Sequence, residues 1–276
     1  HTMSAPAASS KDKAPKVDAE SSDVEKKEEE PTTIADANVL TKYKEAAKIA
    51  TEALALVMKA AAKGVAVLDL VKLSDDYILE KTSKLYNSKK GVSKGVAFPT
   101  SISRNQVVGH FAPMEKDQDQ PMLETGDIVK VDLGVHIDGY IALVAQTFAV
   151  PETAGSAATA PIKGRAADAY AACLTAADAA LRSLRPGNKN TQISELIQKI
   201  AAEYKVSPVQ GVLSHQLLKN NINGDKSIIN RVDPEHKIEE CEFKENEVYA
   251  IDIVMSTGEG KPKEIDNRQT TVYKRN

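Results

Sequence analysis

The sequence predicts an α+β domain built as two similar halves, each a pair of helices laid over antiparallel strands. Three observations carry that expectation. Two strand-like stretches, Asp127-Ile-Val-Lys-Val-Asp132 and Glu247-Val-Tyr-Ala-Ile-Asp252, lie 120 residues apart and place an aspartate at the same point. A helix–Gly64–helix segment precedes the first stretch, and a helix–Gly187–helix segment precedes the second. Residues 127–148 read as two strands around Asp138-Gly139, a dipeptide suited to a two-residue hairpin because both turn positions need positive φ. The economical arrangement lays both helix pairs over one curved sheet, with both aspartates facing its concave centre.

Residues 1–38 hold five Lys against nine Asp and Glu, a net charge of −4, with few large apolar side chains. Such a stretch buries too little to fold and is expected to be a disordered acidic tail. Its opening His1-Thr2-Met3 reads as a vector remnant, with no signal-peptide pattern behind it. The folded domain is expected over 39–276, close to neutral at +1, a balance that neither demands nor excludes a nucleic-acid partner.

Asp36 is placed to N-cap a helix running to about residue 63, with Leu40, Ala47, Ala50, Leu54, Val57 and Met58 at helical spacing and Gly64 ending it. A second helix is expected over 68–86, with Leu70, Val71, Tyr77 and Ile78 inward. Lys81, Lys84, Lys89, Lys90 and Lys94 gather at its end, either a solvated face or a phosphate-contacting one. Residues 95–103 read as a short strand broken at Pro99, followed by a loop carrying His110-Phe-Ala-Pro113. Residues 151–165 are a Pro/Gly/Ala/Ser/Thr linker. Helices are expected over 165–184 and 191–204, separated by Pro186-Gly187-Asn188. A polar insert over 219–242 is too long and mixed for a turn. Strands over 247–255 and 269–273 close the chain, on either side of Gly258-Glu-Gly260.

Counting back from the two-residue turn, Ile137 pairs with Tyr140, Gly134 with Leu143 and Asp132 with Ala145. Asp132 and Leu143 are then diagonal neighbours on one face, roughly 7–8 Å apart at the backbone. Two carboxylates in that relation could clamp a metal pair, but one of the positions here is leucine.

Composition removes several function classes. Hydrophobic content of 42% supports a core, and no apolar run reaches membrane-spanning length. Cys173 and Cys241 stand far apart with no Cys or His close by, which excludes a disulfide framework or a zinc module.

The segments GVAFPTSIS, HFAP, GDIVKVDLGVHIDGYIA, GVLSHQ, NEVYAIDI and TTVYKR together resemble the proliferation-associated, ErbB-receptor-binding family, from about Val39 to the last residue. These proteins are relatives of type 2 methionine aminopeptidases and of the yeast curved-DNA-binding proteins. The resemblance implies the pseudo-symmetric pita-bread (creatinase/methionine aminopeptidase-like) fold, in agreement with the internal repeat. It also implies further chain after the TTVYKR segment, so that 39–276 is expected to be a partial domain.

The peptidase relatives hold two metals through two aspartates, a histidine and two glutamates. Carried over by resemblance, the first aspartate is Asp132 and the second falls on Leu143. The ligand histidine falls on Val212, and the first glutamate on Asp252. The last glutamate position lies beyond Asn276. His110 stands at the place of a substrate-side histidine, as a leftover of that pocket or as a hydrogen-bonded structural residue. His215 belongs to the Ser-His-Gln pattern of the non-peptidase relatives, and His136 and His236 are expected at the surface near loops. No bound metal or cofactor is expected.

The resemblance therefore implies a non-catalytic protein acting in ribosome biogenesis, translation and growth or transcription regulation. The implied partners are the large ribosomal subunit near the nascent-chain exit, structured RNA, DNA and nuclear regulatory proteins. The implied localisation is cytoplasm, nucleus and nucleolus, without membrane insertion. Phosphate contacts would come from Lys81, Lys84, Lys89, Lys90 and Lys94, from the insert residues Lys219, Lys226, Arg231 and Lys237, and from Lys261, Lys263, Arg268, Lys274 and Arg275. Aromatics are 4% of the chain, so base stacking is not a main mode. The alternatives are a metal-dependent methionine aminopeptidase, and a cleft that grips peptides without cutting them.

Overall fold

Asp36 starts the first helix by accepting hydrogen bonds on Oδ1 from the backbone N–H of Asn38 (2.8 Å) and Val39 (3.1 Å), as its cap position predicts. The structure, a computed structural model, describes residues 32–117, 120–155, 161–264 and 271–273. The expected acidic tail lies outside the described residues except for its last few positions, where helix α1 (Ala37–Ala60) has already begun. Its buried face is Val39, Ala46, Ile49, Ala50, Ala53 and Val57. The spacing is the expected helical one, with the stripe turned so that Val39 and Ala46 replace Leu40 and Ala47. Helix α2 (Val67–Ser83) buries Leu70, Val71 and Ile78, while Tyr77 is half-exposed and donates its hydroxyl hydrogen bond to Glu52 on α1 (2.9 Å).

Strand β1 (Lys94–Arg104) runs through Pro99 instead of breaking there. Its pairing with β2 (Ile128–Ile137) shifts register between Phe98, opposite Gly134, and Ser101, opposite Asp132. One extra residue is accommodated in that interval, a bulge that spares Pro99 the N–H it cannot donate. Strand β3 (Tyr140–Ala149) pairs with β2 in the predicted register: Ile137 with Tyr140, Gly134 with Leu143, Asp132 with Ala145. Asp138 and Gly139 both take positive φ, +56° and +79°, as a type I′ turn requires. Val129, Val131, Leu133, Val135 and Ile137 are fully buried beneath α1 and α2. Each contributes roughly 1.5–3 kcal/mol relative to exposure. The opposite face of β2 carries Lys130, Asp132, Gly134 and His136.

The second half repeats the helix pair over strands, but its strands divide into a three-stranded and a two-stranded sheet instead of continuing the one curved sheet that was expected. Helices α3 (Gly164–Ser183) and α4 (Asn190–Glu203) pack through Ala176, Ala180, Ile193 and Ile197 against Ile228, Phe243 and Ile253. Its strands are β4 (Ser207–Pro208), β5 (Leu213–Leu217), β6 (Ser227–Ile229), β7 (Val248–Ala250) and β8 (Met255–Ser256). The repeat is visible bond by bond. Gly64 N–H donates to the Leu123 carbonyl and Gly187 N–H to the Phe243 carbonyl. Isolated bridges join Ala66 to Met122 and Lys189 to Glu242. Glu124 N–H donates to the Asp127 carboxylate, and Lys244 N–H to that of Glu247. Each pair of equivalents is separated by 120 to 123 residues, the spacing of the sequence repeat.

The continuous strand expected over 247–255 is instead two short ones, β7 paired with β5 and β8 paired with β4. Between them the Asp252 backbone bonds a side chain rather than a neighbouring strand. Its N–H donates to Ser214 Oγ (2.9 Å), and the same hydroxyl donates to its carbonyl (3.1 Å). The expected terminal strand over 269–273 falls partly outside the described residues, and 271–273 carry no strand.

Candidate functional site

The concave face is organised around Asp132, held mid-strand on β2 with Ser101 across one edge and Ala145 across the other. Burial first, and the nearby Asp252 second, raise its carboxyl from the ordinary 3.8 to about 7, against the lowering effect of the Leu133 N–H. Asp252 arrives from the other half, fixed through its backbone by Ser214. Burial raises its carboxyl too, opposed by the charges of His110 and His215. Beside it the Cys173 thiol donates to the Ile253 carbonyl, and burial together with Asp252 pushes it up to about 11. A thiol held there is not a nucleophile at neutral pH.

His110 sits on the loop after β1 at φ +59°, a conformation unusual for a residue with a side chain. The loop is pinned on both sides of it: Ile102 N–H donates to the Phe111 carbonyl (2.8 Å) and Phe111 N–H to Ser103 Oγ (3.2 Å). The imidazole stands edge-on to the Phe98 ring at 5.1 Å, with Nε2 3.8 Å from Asp132 Oδ2. It is 62% exposed, so it lies at the mouth of the site rather than within it.

Leu143 occupies the diagonal position. A Cβ built on Gly134 would come within 2.5 Å of Leu143 Cδ2 and 3.0 Å of Phe98 Cβ. Leu143 and Phe98 thus fold over a glycine that has no side chain to resist them, closing an apolar cover beside Asp132. Val212, just before β5, offers no donor atom, and its carbonyl accepts from Asn230 N–H.

These residues do not fit a two-metal centre. Such a centre needs oxygen and imidazole donors converging from several sides, and Leu143 and Val212, which the resemblance implied at two of its positions, are hydrocarbon. Among the described residues, the potential ligand atoms of at least three side chains converge within 4.8 Å only at Asp233, Glu235 and His236. That group lies in the insert, where Asp233 Oδ1 accepts from Glu235 N–H, His236 N–H and the His236 ring, a local turn that accounts for its geometry.

Sequence reasoning overlooked two contributors to the concave face, Ser101 and Phe98, and placed a third, Lys130, on that face without giving it a role. Ser101 is 1% exposed, and its hydroxyl has no hydrogen-bond partner among the described residues. Phe98 supplies half of the apolar cover. Lys130, two residues before Asp132, donates to the Asn105 carbonyl (2.8 Å), and burial lowers its ammonium to about 8. Strand alternation alone puts Lys130 on the face of Asp132, so that signal was available. The bulge hid Ser101 and Phe98.

The basic candidates separate into those with intrachain partners and those that are exposed. Lys219 lies over the Tyr140 ring and 3.7 Å from Asp138, which Lys42 also pairs at 2.5 Å. Lys226 pairs with Glu247 at 2.6 Å, with side chains only 19% and 14% exposed. Arg231 donates to the Glu259 carbonyl. Three of the insert's basic residues, Lys219, Lys226 and Arg231, are therefore engaged within the fold, because acidic partners and carbonyls lie within reach of their long stems. Lys94 is likewise tied to the Leu85 carbonyl and Asn87, and Lys84 to Glu80. Lys81 lies over the Tyr77 ring at 5.0 Å. Lys89, Lys90, Lys237, Lys261 and Lys263 are exposed. Arg268, Lys274 and Arg275 lie outside the described residues. His136 is half-buried instead of at the surface, its Nδ1 accepting from Gly139 N–H, and burial lowers its imidazolium. His236 is exposed, as expected.

The first helix pair adds a feature not apparent from the bulk charge. Residues 39–94 contain eleven Lys against six Asp and Glu, a net +5 in a nearly neutral domain. Lys44 and Lys48 are exposed on α1. Among the described residues, no helix is long and apolar enough to cross a membrane.

Comparison with known proteins agrees with this anatomy. Residues 41–267 match metallopeptidase family M24. The chain is 49% identical over 256 residues to ErbB-3 binding protein 1 of Arabidopsis thaliana, covering 92% of this chain and 63% of that protein. It is 36% identical to the curved DNA-binding protein of Schizosaccharomyces pombe, covering 88% and 62%. The chain thus spans under two thirds of the length of these relatives. Among solved structures, a thermophilic Arx1 matches with a TM-score of 0.75 at 27% identity, covering 87% of this chain and 71% of that one. Methionine aminopeptidase from Thermotoga maritima matches in fold with a TM-score of 0.67 at 20% identity, covering 88% of each. The fold is that of the aminopeptidases, as the family resemblance implied and in agreement with the internal repeat.

Proposed function

We propose, from the premise that the chain belongs to metallopeptidase family M24, that it is a non-catalytic binding protein on an aminopeptidase scaffold. One observation carries this reading: Leu143, packed against Gly134 and Phe98, takes the place of a carboxylate beside Asp132. Val212 removes a second donor. Amide hydrolysis by this scaffold requires a water activated by metal ions, and two of the groups that would hold them are hydrocarbon. Two of the matching relatives carry names that refer to binding, of ErbB-3 and of curved DNA.

The partner class we assign is structured RNA, with the large ribosomal subunit near the nascent-chain exit as its setting. The role is in ribosome biogenesis, translation and growth or transcription regulation, with DNA and nuclear proteins as further partners. The corresponding localisation is cytoplasm, nucleus and nucleolus, testable with a fluorescent fusion of the full chain. The excess of +5 on the first helix pair supports this assignment, since backbone phosphates are met by exposed lysines. Lys89 and Lys90, joined by Lys44 and Lys48, take that role better than Lys81, which lies over the Tyr77 ring, and than Lys219, Lys226 and Arg231, which have intrachain partners. Ribosome co-sedimentation across a salt series tests it. Binding should weaken steeply with salt, and changing Lys44, Lys48, Lys89 and Lys90 to glutamate should lower it and flatten its salt dependence. Salt-independent sedimentation, or none at low salt, would overturn the assignment.

A further inference from the structure

We propose that the hairpin tip at Asp138-Gly139 is an autoinhibitory latch, which holds Lys42 and Lys219 away from nucleic-acid phosphates until it opens. The inference rests on the phosphate-binding reading of the first helix pair and names a regulation of that surface. Two turns meet here. Leu218 and Asn221 bond each other through both backbone groups (2.9 and 3.0 Å), so Lys219 and Asn220 form a two-residue tip in the insert. Asn220 takes φ +60°, and its N–H donates to the Gly139 carbonyl (2.8 Å). A Cβ on Gly139 would collide with Asn220 Oδ1 and stand 3.0 Å from the Asn220 backbone N, so the glycine is what lets the tips touch.

One carboxylate closes the latch. Asp138 Oδ2 lies 2.5 Å from Lys42 Nζ on α1 and 3.7 Å from Lys219 Nζ. Each ammonium also stands 5.4 Å from the centre of the Tyr140 ring. Lys42, Asp138 and Lys219 are 17%, 19% and 22% exposed, so the joined tips leave little of either ammonium for an outside anion. The latch borders the basic surface. Lys42 is two residues from Lys44, and Asp138 N–H donates to the Ser93 carbonyl (2.6 Å), three residues after Lys90.

The contact is built to open. Among the described residues one backbone hydrogen bond joins the two tips, and the carboxylate is shared between two ammonium groups, one of them beyond hydrogen-bond distance. Ion pairs near a surface are weak and screened by salt. A nucleic-acid backbone, by contrast, presents closely spaced phosphates, each an acceptor for a released ammonium. Opening adds Lys42 and Lys219 to the exposed Lys44, Lys48, Lys89 and Lys90. RNA therefore binds the open form better than the closed one, which is the differential affinity a ligand needs to shift such an equilibrium.

The test is fluorescence anisotropy of a labelled RNA hairpin titrated with the full chain across a salt series. Asp138→Asn removes the carboxylate and keeps the hairpin, because Asn-Gly suits the same type I′ turn. It should bind about three- to tenfold more tightly than wild type. Its salt dependence should steepen by about one to two in log–log slope, since each added phosphate contact contributes roughly 0.9. Asp76→Asn removes an equal charge from an exposed position on α2 and should leave the slope unchanged. Adding Lys42→Gln and Lys219→Gln to Asp138→Asn should abolish the gain. Gly139→Ala, which separates the tips without altering any charge, should give the same gain if Asp138→Asn does not fold. Lysine acetylation read by mass spectrometry follows the latch without RNA. Lys42 and Lys219 should label faster in Asp138→Asn than in wild type, while Lys89 and Lys90 label alike in both. Unchanged labelling, a gain no larger than that of Asp76→Asn, or a gain that survives loss of both lysines overturns the latch. Faster labelling with no RNA binding by either protein at low salt refutes the phosphate-binding reading instead, and the autoinhibitory role with it.

Discussion

Replacing Asp132 by Asn should stabilise the protein above neutral pH and leave it nearly unchanged at low pH. In the folded state the Asp132 carboxyl titrates at about 7, against 3.8 for an unperturbed carboxyl. The folded protein therefore holds a proton that the unfolded chain has released. Stability that is fully present below pH about 4 is lost as the pH rises through about 7. That difference corresponds to roughly 4 kcal/mol. The side chain is 31% exposed, and solvent screening brings the expected cost to about 2 kcal/mol. Asn keeps the shape and an acceptor for the Leu133 N–H but never acquires the charge. Asp252, which faces the same centre, is common to both proteins and largely cancels in the comparison. Urea unfolding of wild type and variant at pH 5 and pH 8 measures the effect. The variant should be more stable by about 2 kcal/mol at pH 8, or about 4–8 °C in melting temperature, with the gap narrowing towards pH 5. A variant no more stable than wild type at pH 8 would refute the reasoning.

Gly134→Ala should destabilise by about 1–3 kcal/mol in chemical denaturation, because its Cβ would meet Leu143 at 2.5 Å and the Phe98 backbone N at 3.1 Å. Lys226→Glu should cost about 3–5 kcal/mol by setting two carboxylates against each other in a largely buried pair, while Lys89→Glu and Lys90→Glu should stay within about 0.5 kcal/mol. Melting curves of the three variants decide this, and a Lys226 variant as stable as the Lys89 one would return the insert to the list of docking candidates. Leu143→Asp should lose about 2–5 kcal/mol at pH 8 and recover part of that at pH 5, since it exchanges apolar packing for another carboxylate beside Asp132. The same denaturation series measures it.

The repeat, the hairpin register and the opposition of Asp132 to Ala145 were legible because they follow from strand alternation and one two-residue turn. Those rules are local. What escaped depended on contacts across the fold. Pro99 looked like a strand breaker, but a bulge absorbs it and thereby places Ser101 opposite Asp132. Lys219 and Lys226 looked like solvated insert residues, yet Asp138 and Glu247 lie within reach only once the halves are folded. The strand over 247–255 divides because the Ser214 hydroxyl, 38 residues away in sequence, takes both backbone groups of Asp252. That Leu143 and Val212 carry no donor atom is plain from the residues themselves. The reason leucine fits there, a glycine and a phenylalanine arranged to receive it, needed coordinates.

The central claim, that this aminopeptidase scaffold has given up its metal chemistry, is tested most directly by calorimetric titration of cobalt or manganese into the full chain. The donor set of Asp132, Asp252 and an exposed His110, with hydrocarbon at Leu143 and Val212, predicts no stoichiometric site at micromolar metal. Two tight sites per chain would contradict it.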